Sequence, residues 1–76
     1  MTTVVLYGRA GCHLCDDARA ALLRVRAERP FRLVEVDIED DPALLRRYLE
    51  RIPVIAVDGE ELSEYFLDEE ALRRKL

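Results

Sequence analysis

At 76 residues, 50% hydrophobic and 37% charged, the chain has room for one small core and no second domain, and its balance excludes disorder. A net charge of −4 and a pI near 4.9 argue against nucleic acid or an anionic membrane as partner, since both recruit basic patches. Met1-Thr2-Thr3 carries no basic n-region and no apolar run approaches the roughly 20 residues of a membrane span, so a cytosolic protein is expected.

The first element is a strand, Val4 to Tyr7, bounded by Gly8 and Gly11, which suit a tight strand-to-helix turn. From Cys12 to about Arg29 the apolar residues Cys15, Ala18, Ala21, Leu22 and Val25 recur every three or four positions, the mark of an amphipathic helix. Pro30 ends it. Phe31 to Ile38 is β-branched and mostly apolar, as expected of a strand buried inside a sheet and parallel to the first. Asp40 and Asp41 offer an N-cap and Pro42 a first helical position for a second helix, whose apolar face is Leu44, Leu45, Tyr48 and Leu49.

Val54 to Val57 and Glu60 to Leu62 flank Asp58-Gly59, the signal for a type I′ hairpin. Asp68 then caps a last helix with Glu69 and Glu70 in its first turn and Arg73, Arg74 and Lys75 at its end, matching the helix dipole. Tyr65 and Phe66 are expected to pack under this helix, with the wall of a substrate groove as the alternative. The order is βαβαββα, one α/β domain over residues 1–76.

The chemistry lies in Cys12-His13-Leu14-Cys15, the only cysteines in the chain. Residues three apart on a helix share a face, and their Cα separation falls in the roughly 4.4 to 6.8 Å window of a disulfide. A bridge closing so short a loop constrains the unfolded chain by only about 2 kcal/mol, against about 3 for fifteen residues. A staple is therefore a poor explanation and reversible exchange a better one; metal binding and inert core cysteines are the alternatives.

Only a thiolate attacks a disulfide. A helix N-terminus contributes about 0.3 to 2 kcal/mol, enough to bring the Cys12 thiol to roughly 7 or 8. Hydrogen bonds from Cys15, and the charges of Arg9 or protonated His13, add to this, while Asp16 and Asp17 oppose it. Cys12, the more exposed, is the expected nucleophile and Cys15 the resolving partner.

The segment Leu6-Tyr7-Gly8-Arg9-Ala10-Gly11-Cys12-His13-Leu14-Cys15, with Ile52-Pro53 opening the third strand, resembles the glutaredoxin branch of the thioredoxin superfamily. Gly11 to Asp16, Val36-Asp37-Ile38, Arg51 to Val54 and Asp58-Gly59-Glu60 are similar to the small bacterial glutaredoxin-like domain proteins. The resemblance implies a thioredoxin-like fold, a four-stranded mixed sheet with helices on both faces. It also implies a cis peptide bond before Pro53 that leaves the backbone at Ile52 to pair with substrate, and a monomer with no bound cofactor or metal. The implied partners are a protein or small-molecule disulfide and an unidentified reductant, glutathione being one choice.

The chain departs from glutaredoxins where they hold glutathione, with Arg51-Ile52-Pro53 for Thr-Val-Pro and no glycine pair at Ser63-Glu64-Tyr65-Phe66. Glu60, Glu61 and Glu64 crowd that edge and repel an anionic tripeptide, although Arg9 and Arg51 could attract its carboxylates. Copper carriers also present Cys-x-x-Cys on a strand-to-helix loop, but a helix, not a hairpin, is expected after Ile38. Zinc or an iron-sulfur cluster needs more ligands than Cys12, His13 and Cys15 and so a dimer. A non-catalytic interaction domain is the remaining reading.

Overall fold

The computed structural model describes residues 1–76. Its elements are β1 (Thr3–Gly8), α1 (His13–Glu28), β2 (Arg32–Asp37), a 3₁₀ turn (Ile38–Asp40), α2 (Pro42–Tyr48), β3 (Val54–Val57), β4 (Glu60–Glu64) and α3 (Glu69–Lys75). The order is the βαβαββα expected, with the 3₁₀ turn added before α2. No helix is long and apolar enough to cross a membrane.

The four strands form one mixed sheet in the order β2-β1-β3-β4. β1 runs parallel to β2 and antiparallel to β3, which is antiparallel to β4. This corrects the expected place of the second strand. β2 lies at the sheet edge, with Arg32, Glu35 and Asp37 exposed and Leu33, Val34 and Val36 only half-buried. Charges interleaved with its β-branched residues suit a strand bonded on one side, where they also discourage pairing with another chain. The interior strands are β1 and β3, the latter buried at all four residues.

Alternation along β1 divides the core between two faces. Val4 and Leu6 pack with Ala18, Ala21, Leu22 and Val25 of α1 and Leu72 of α3, joined by Phe31, Ile55, Val57 and Leu67. On the other face Tyr7 packs with Ile38, Tyr48 and Val54 under α2, beside Leu44, Leu45 and Ile52. Leu49, expected on that face, is instead 43% exposed, as the C-cap residue beyond the last turn of α2.

Local chemistry sets the ends. Asp41 and Asp68 cap α2 and α3 by accepting from the N–H groups of Ala43 and Ala71 at 2.8 and 3.0 Å, each cap contributing about 1 kcal/mol. Asp58 and Gly59 both have positive φ, 48° and 89°, as a type I′ turn requires. The Asp58 carboxylate accepts from Thr3 N–H at 2.9 Å, and its own N–H donates to the Thr3 carbonyl at 2.9 Å. The hairpin tip is thereby pinned to the start of β1, and the opposite end of the sheet is left for the cysteines.

Tyr65 and Phe66 do not pack under α3. Tyr65 has φ of 70°, which turns the chain outward after β4, and it is Leu67, 8% exposed, that returns to the core.

Candidate active site

β1 ends at Gly8, the loop turns at Gly11 with φ of 75°, and Cys12 arrives as the N-cap of α1. Its Sγ accepts the Cys15 N–H at 3.1 Å, the place an Asp or Ser oxygen takes at an ordinary N-cap. Cys12 is half-buried, whereas Cys15 is 1% exposed. The two sulfurs are bonded, with their Cα atoms 5.2 Å apart, within the separation the sequence predicts. In the reduced state a thiolate at Cys12 would face the unpaired N–H groups and positive end of α1.

Cys15 rests on Gly8. A Cβ on Gly8 would stand 3.0 Å from the Cys15 Sγ and 3.3 Å from its Cβ, so α1 sits on β1 more closely than a side chain at position 8 ordinarily allows. In the sequence Gly8 stands as turn punctuation, and its alternation with Val4 and Leu6, which aims it at the helix face, is the signal for this contact.

On the β2 side, a groove of about 340 Å³ reaches Cys15 but not Cys12, bordered by Gly8, Arg9, Asp16, Arg19 and Asp37. Its cations are already partnered. Arg9 Nε lies 3.1 Å from Glu39, while Arg19 is bonded to Glu35 and, at 3.1 Å, to Asp16. The Glu35 hydrogen bond holds the Arg19 guanidinium above its usual pKa. The His13 side chain is 87% exposed and points to Asp17, 3.5 Å away, not to the sulfurs.

On the β3 side, Val54 pairs with Tyr7, which puts the buried Pro53 one step along the ladder opposite Gly8. The Ile52-Pro53 bond is cis, as the resemblance implies. Pro53 carbonyl accepts the Tyr65 N–H at 2.8 Å, and the N–H and C=O of Ile52 make no hydrogen bond.

Arg51 is bonded to Glu64 at 2.6 Å and to Glu61, which raises its pKa, Glu64 contributing most. The same pairing lowers the Glu61 pKa, chiefly through the Arg51 hydrogen bond. Tyr48 stacks on Tyr7 with centroids 4.7 Å apart and carries the guanidinium groups of Arg47 and Arg51 each 5.3 Å from its ring centre. Burial raises the Tyr48 pKa.

The structure thus gathers Cys12, Cys15, Ile52 and Pro53 at one end of the sheet. It sets Arg9 and Arg51 to either side, each held by carboxylates, and leaves His13 outside. No three His, Cys, Asp or Glu side chains converge as a metal-ligand set.

Residues 3–76 match the family described as Glutaredoxin-like domain (DUF836). Uncharacterized protein Rv0508 of Mycobacterium tuberculosis is 32% identical over 75 residues, spanning 92% of this chain and 77% of its own length. The solution NMR structure of protein Ne2328 from Nitrosomonas europaea superposes with a TM-score of 0.88 at 35% identity, covering 99% of this chain and 91% of that one. A thioredoxin from Halobacterium salinarum, 20% identical, superposes with a TM-score of 0.67 over 97% of this chain and 70% of its own, a likeness of fold alone.

Proposed function

The chain belongs to the Glutaredoxin-like domain (DUF836) family and has the thioredoxin-like fold with a Cys12–Cys15 disulfide, and from these we propose that it is a cytoplasmic thiol-disulfide oxidoreductase. The observation that carries this reading is the unequal setting of the two sulfurs. Cys12 Sγ accepts a main-chain N–H at the helix N-cap and is half-buried, while Cys15 is shielded one turn inside.

In the cycle, the Cys12 thiolate attacks one sulfur of a substrate disulfide, forming a mixed disulfide and releasing the first substrate thiol. Cys15, as thiolate, then attacks Cys12 Sγ, closing the disulfide and releasing the second thiol. Two electrons have passed from the protein dithiol to the substrate. An external thiol reductant returns them. The Cys15 N–H stabilises negative charge on Cys12 both when it attacks and when it leaves.

Ile52 offers its free N–H and C=O to the backbone of a bound substrate, next to Pro53. Arg9 and Arg51 border the site, and their carboxylate partners leave neither as an open anion receptor. A metal-carrying role has less support, since only the two sulfurs converge.

The test is a Cys15→Ser protein, reduced and mixed with cell extract under non-reducing conditions. Mixed disulfides should accumulate on Cys12 and release their partners on adding a dithiol. If none forms, and reduced protein also leaves small disulfides intact, the oxidoreductase reading fails.

A further inference from the structure

We propose that Tyr65 and Phe66 form an aromatic ledge that docks an extended polypeptide segment next to the substrate's cystine, so that the preferred substrate is a protein disulfide and not a small anionic one. This rests on the oxidoreductase reading of the same site and adds its substrate class.

The first observation is backbone strain at Tyr65. Its φ of 70° is a conformation that glycine adopts freely and a bulky side chain resists. Asp58, the other non-glycine residue with positive φ, sits in a two-residue turn where Asp is tolerated. No such chemistry accounts for an aromatic residue at position 65.

What holds Tyr65 there is a pair of bonds to the segment that leads into β3. Its N–H donates to the Pro53 carbonyl at 2.8 Å, and its hydroxyl donates to the Glu50 carbonyl at 2.8 Å. The side chain therefore spans Arg51 and Ile52, fixing the stretch of main chain whose Ile52 N–H and C=O have no partner. A free donor and acceptor on one residue beside a sheet end is the pattern that an added extended strand satisfies.

Tyr65 is 47% exposed and the neighbouring Phe66 67%, while Leu14, between the two cysteines, is 47% exposed. Tyr65 and Phe66 follow β4 at the end of the sheet where Pro53 lies, and α3 leaves them uncovered. The charges nearby offer no open receptor to an anionic ligand, because Arg51 is held by Glu61 and Glu64, Arg47 by Glu61, and Arg9 by Glu39. An uncharged polypeptide segment needs none. Its main chain answers Ile52, and an apolar side chain answers the two rings.

The experiment follows oxidation of the reduced full-length protein in single turnovers with three probes: insulin, hydroxyethyl disulfide and glutathione disulfide. Phe66→Ala and Tyr65→Gly should each slow the reaction with insulin by about tenfold or more while changing hydroxyethyl disulfide by less than about twofold. Tyr65→Phe, which keeps the ring and loses the hydroxyl bond, should fall between. Glycine relieves the left-handed backbone while losing the hydroxyl bond to Glu50, two opposing effects of similar size, so Tyr65→Gly should melt within a few degrees of the parent.

Equal slowing of insulin and hydroxyethyl disulfide, or a melting temperature lower by more than a few degrees with a matching loss on every probe, would assign Tyr65 to scaffolding and overturn the ledge. So would unchanged insulin kinetics in Phe66→Ala, or glutathione disulfide as the fastest probe. Self-association of the parent that Phe66→Ala abolishes would give the ledge to a second copy. Parent protein that oxidises with none of the three probes removes the oxidoreductase reading itself, a different result from any pattern among the variants.

Discussion

Cys12 and Cys15 are three residues apart, yet the surroundings of one are nearly the reverse of those of the other. Around Cys12 the chain is open: His13 is 87% exposed at its side chain and Leu14 47% exposed, and the sulfur takes a hydrogen bond from the helix end. Around Cys15 it is closed, with 1% exposure and Gly8 pressed beneath the sulfur. One turn of helix, laid across the end of β1, gives two identical side chains different surroundings: Cys12 is half-buried and Cys15 is sealed. On the proposed reading, Cys12 meets the substrate and Cys15 meets Cys12.

The sharpest way to break this division is to remove each sulfur in turn. Cys12→Ser should lower the rate of disulfide exchange on the order of a thousandfold or more, because a serine hydroxyl is not ionised near neutrality. Cys15→Ser should keep the first step near the parental rate and stall at the mixed disulfide, seen by mass spectrometry of the quenched reaction. The reverse pattern would exchange the two roles.

Closing the space under Cys15 is the next largest perturbation. Gly8→Ala places a methyl 3.0 Å from the Cys15 sulfur, overpacking that should cost about 1 to 3 kcal/mol in stability by chemical denaturation. It should also prolong the mixed disulfide about tenfold, since displacing the resolving sulfur spoils its line of attack. Alkylation of Cys12 in the reduced protein should stay near the parental rate, which separates a moved Cys15 from a damaged helix end.

On the open side, His13→Ala should change the exchange rate by no more than about fivefold, because an exposed pair of this kind contributes at most about 1 kcal/mol. A loss near tenfold, tracking the titration of one histidine, would bring His13 back into the chemistry.

Away from both sulfurs, Glu61→Gln should produce the smallest effect. Arg51 holds the Glu61 pKa below its ordinary value, so the pairing stabilises the fold above the unfolded carboxylate pKa and is lost as pH falls through the folded one. Parent and variant should therefore differ at neutral pH by under about 1 kcal/mol and converge in acid, as thermal melts over that range would show.

Much of this was legible beforehand because it is written in periodicity and punctuation. The five apolar positions proposed for the first helix, Cys15, Ala18, Ala21, Leu22 and Val25, are those that α1 buries, and Asp58-Gly59 forms the turn its pair of residues signals. The place of β2 is hidden from composition, because an edge strand and an interior strand share β-branched residues and only the charges at Arg32, Glu35 and Asp37 tell them apart.

Of the site, the pairing of the two cysteines and the cis bond before Pro53 were legible from spacing and resemblance. The contact of Gly8 with Cys15, the carboxylates that occupy Arg9 and Arg51, and the outward turn at Tyr65 depend on residues distant in sequence. No local pattern announces such meetings. Tyr65 in particular adopts a backbone that propensity assigns to glycine, so sequence reasoning placed its ring in the core.

The most direct test of the account is the rate of alkylation of each thiol in the reduced protein as a function of pH, with the two sites resolved by peptide mass spectrometry. Cys12 should react with a midpoint clearly below the roughly 8.5 of free cysteine, and Cys15 should remain slow throughout. If both thiols titrate near that free value at comparable rates, the helix end confers no special reactivity on Cys12 and the division of labour between the sulfurs is wrong.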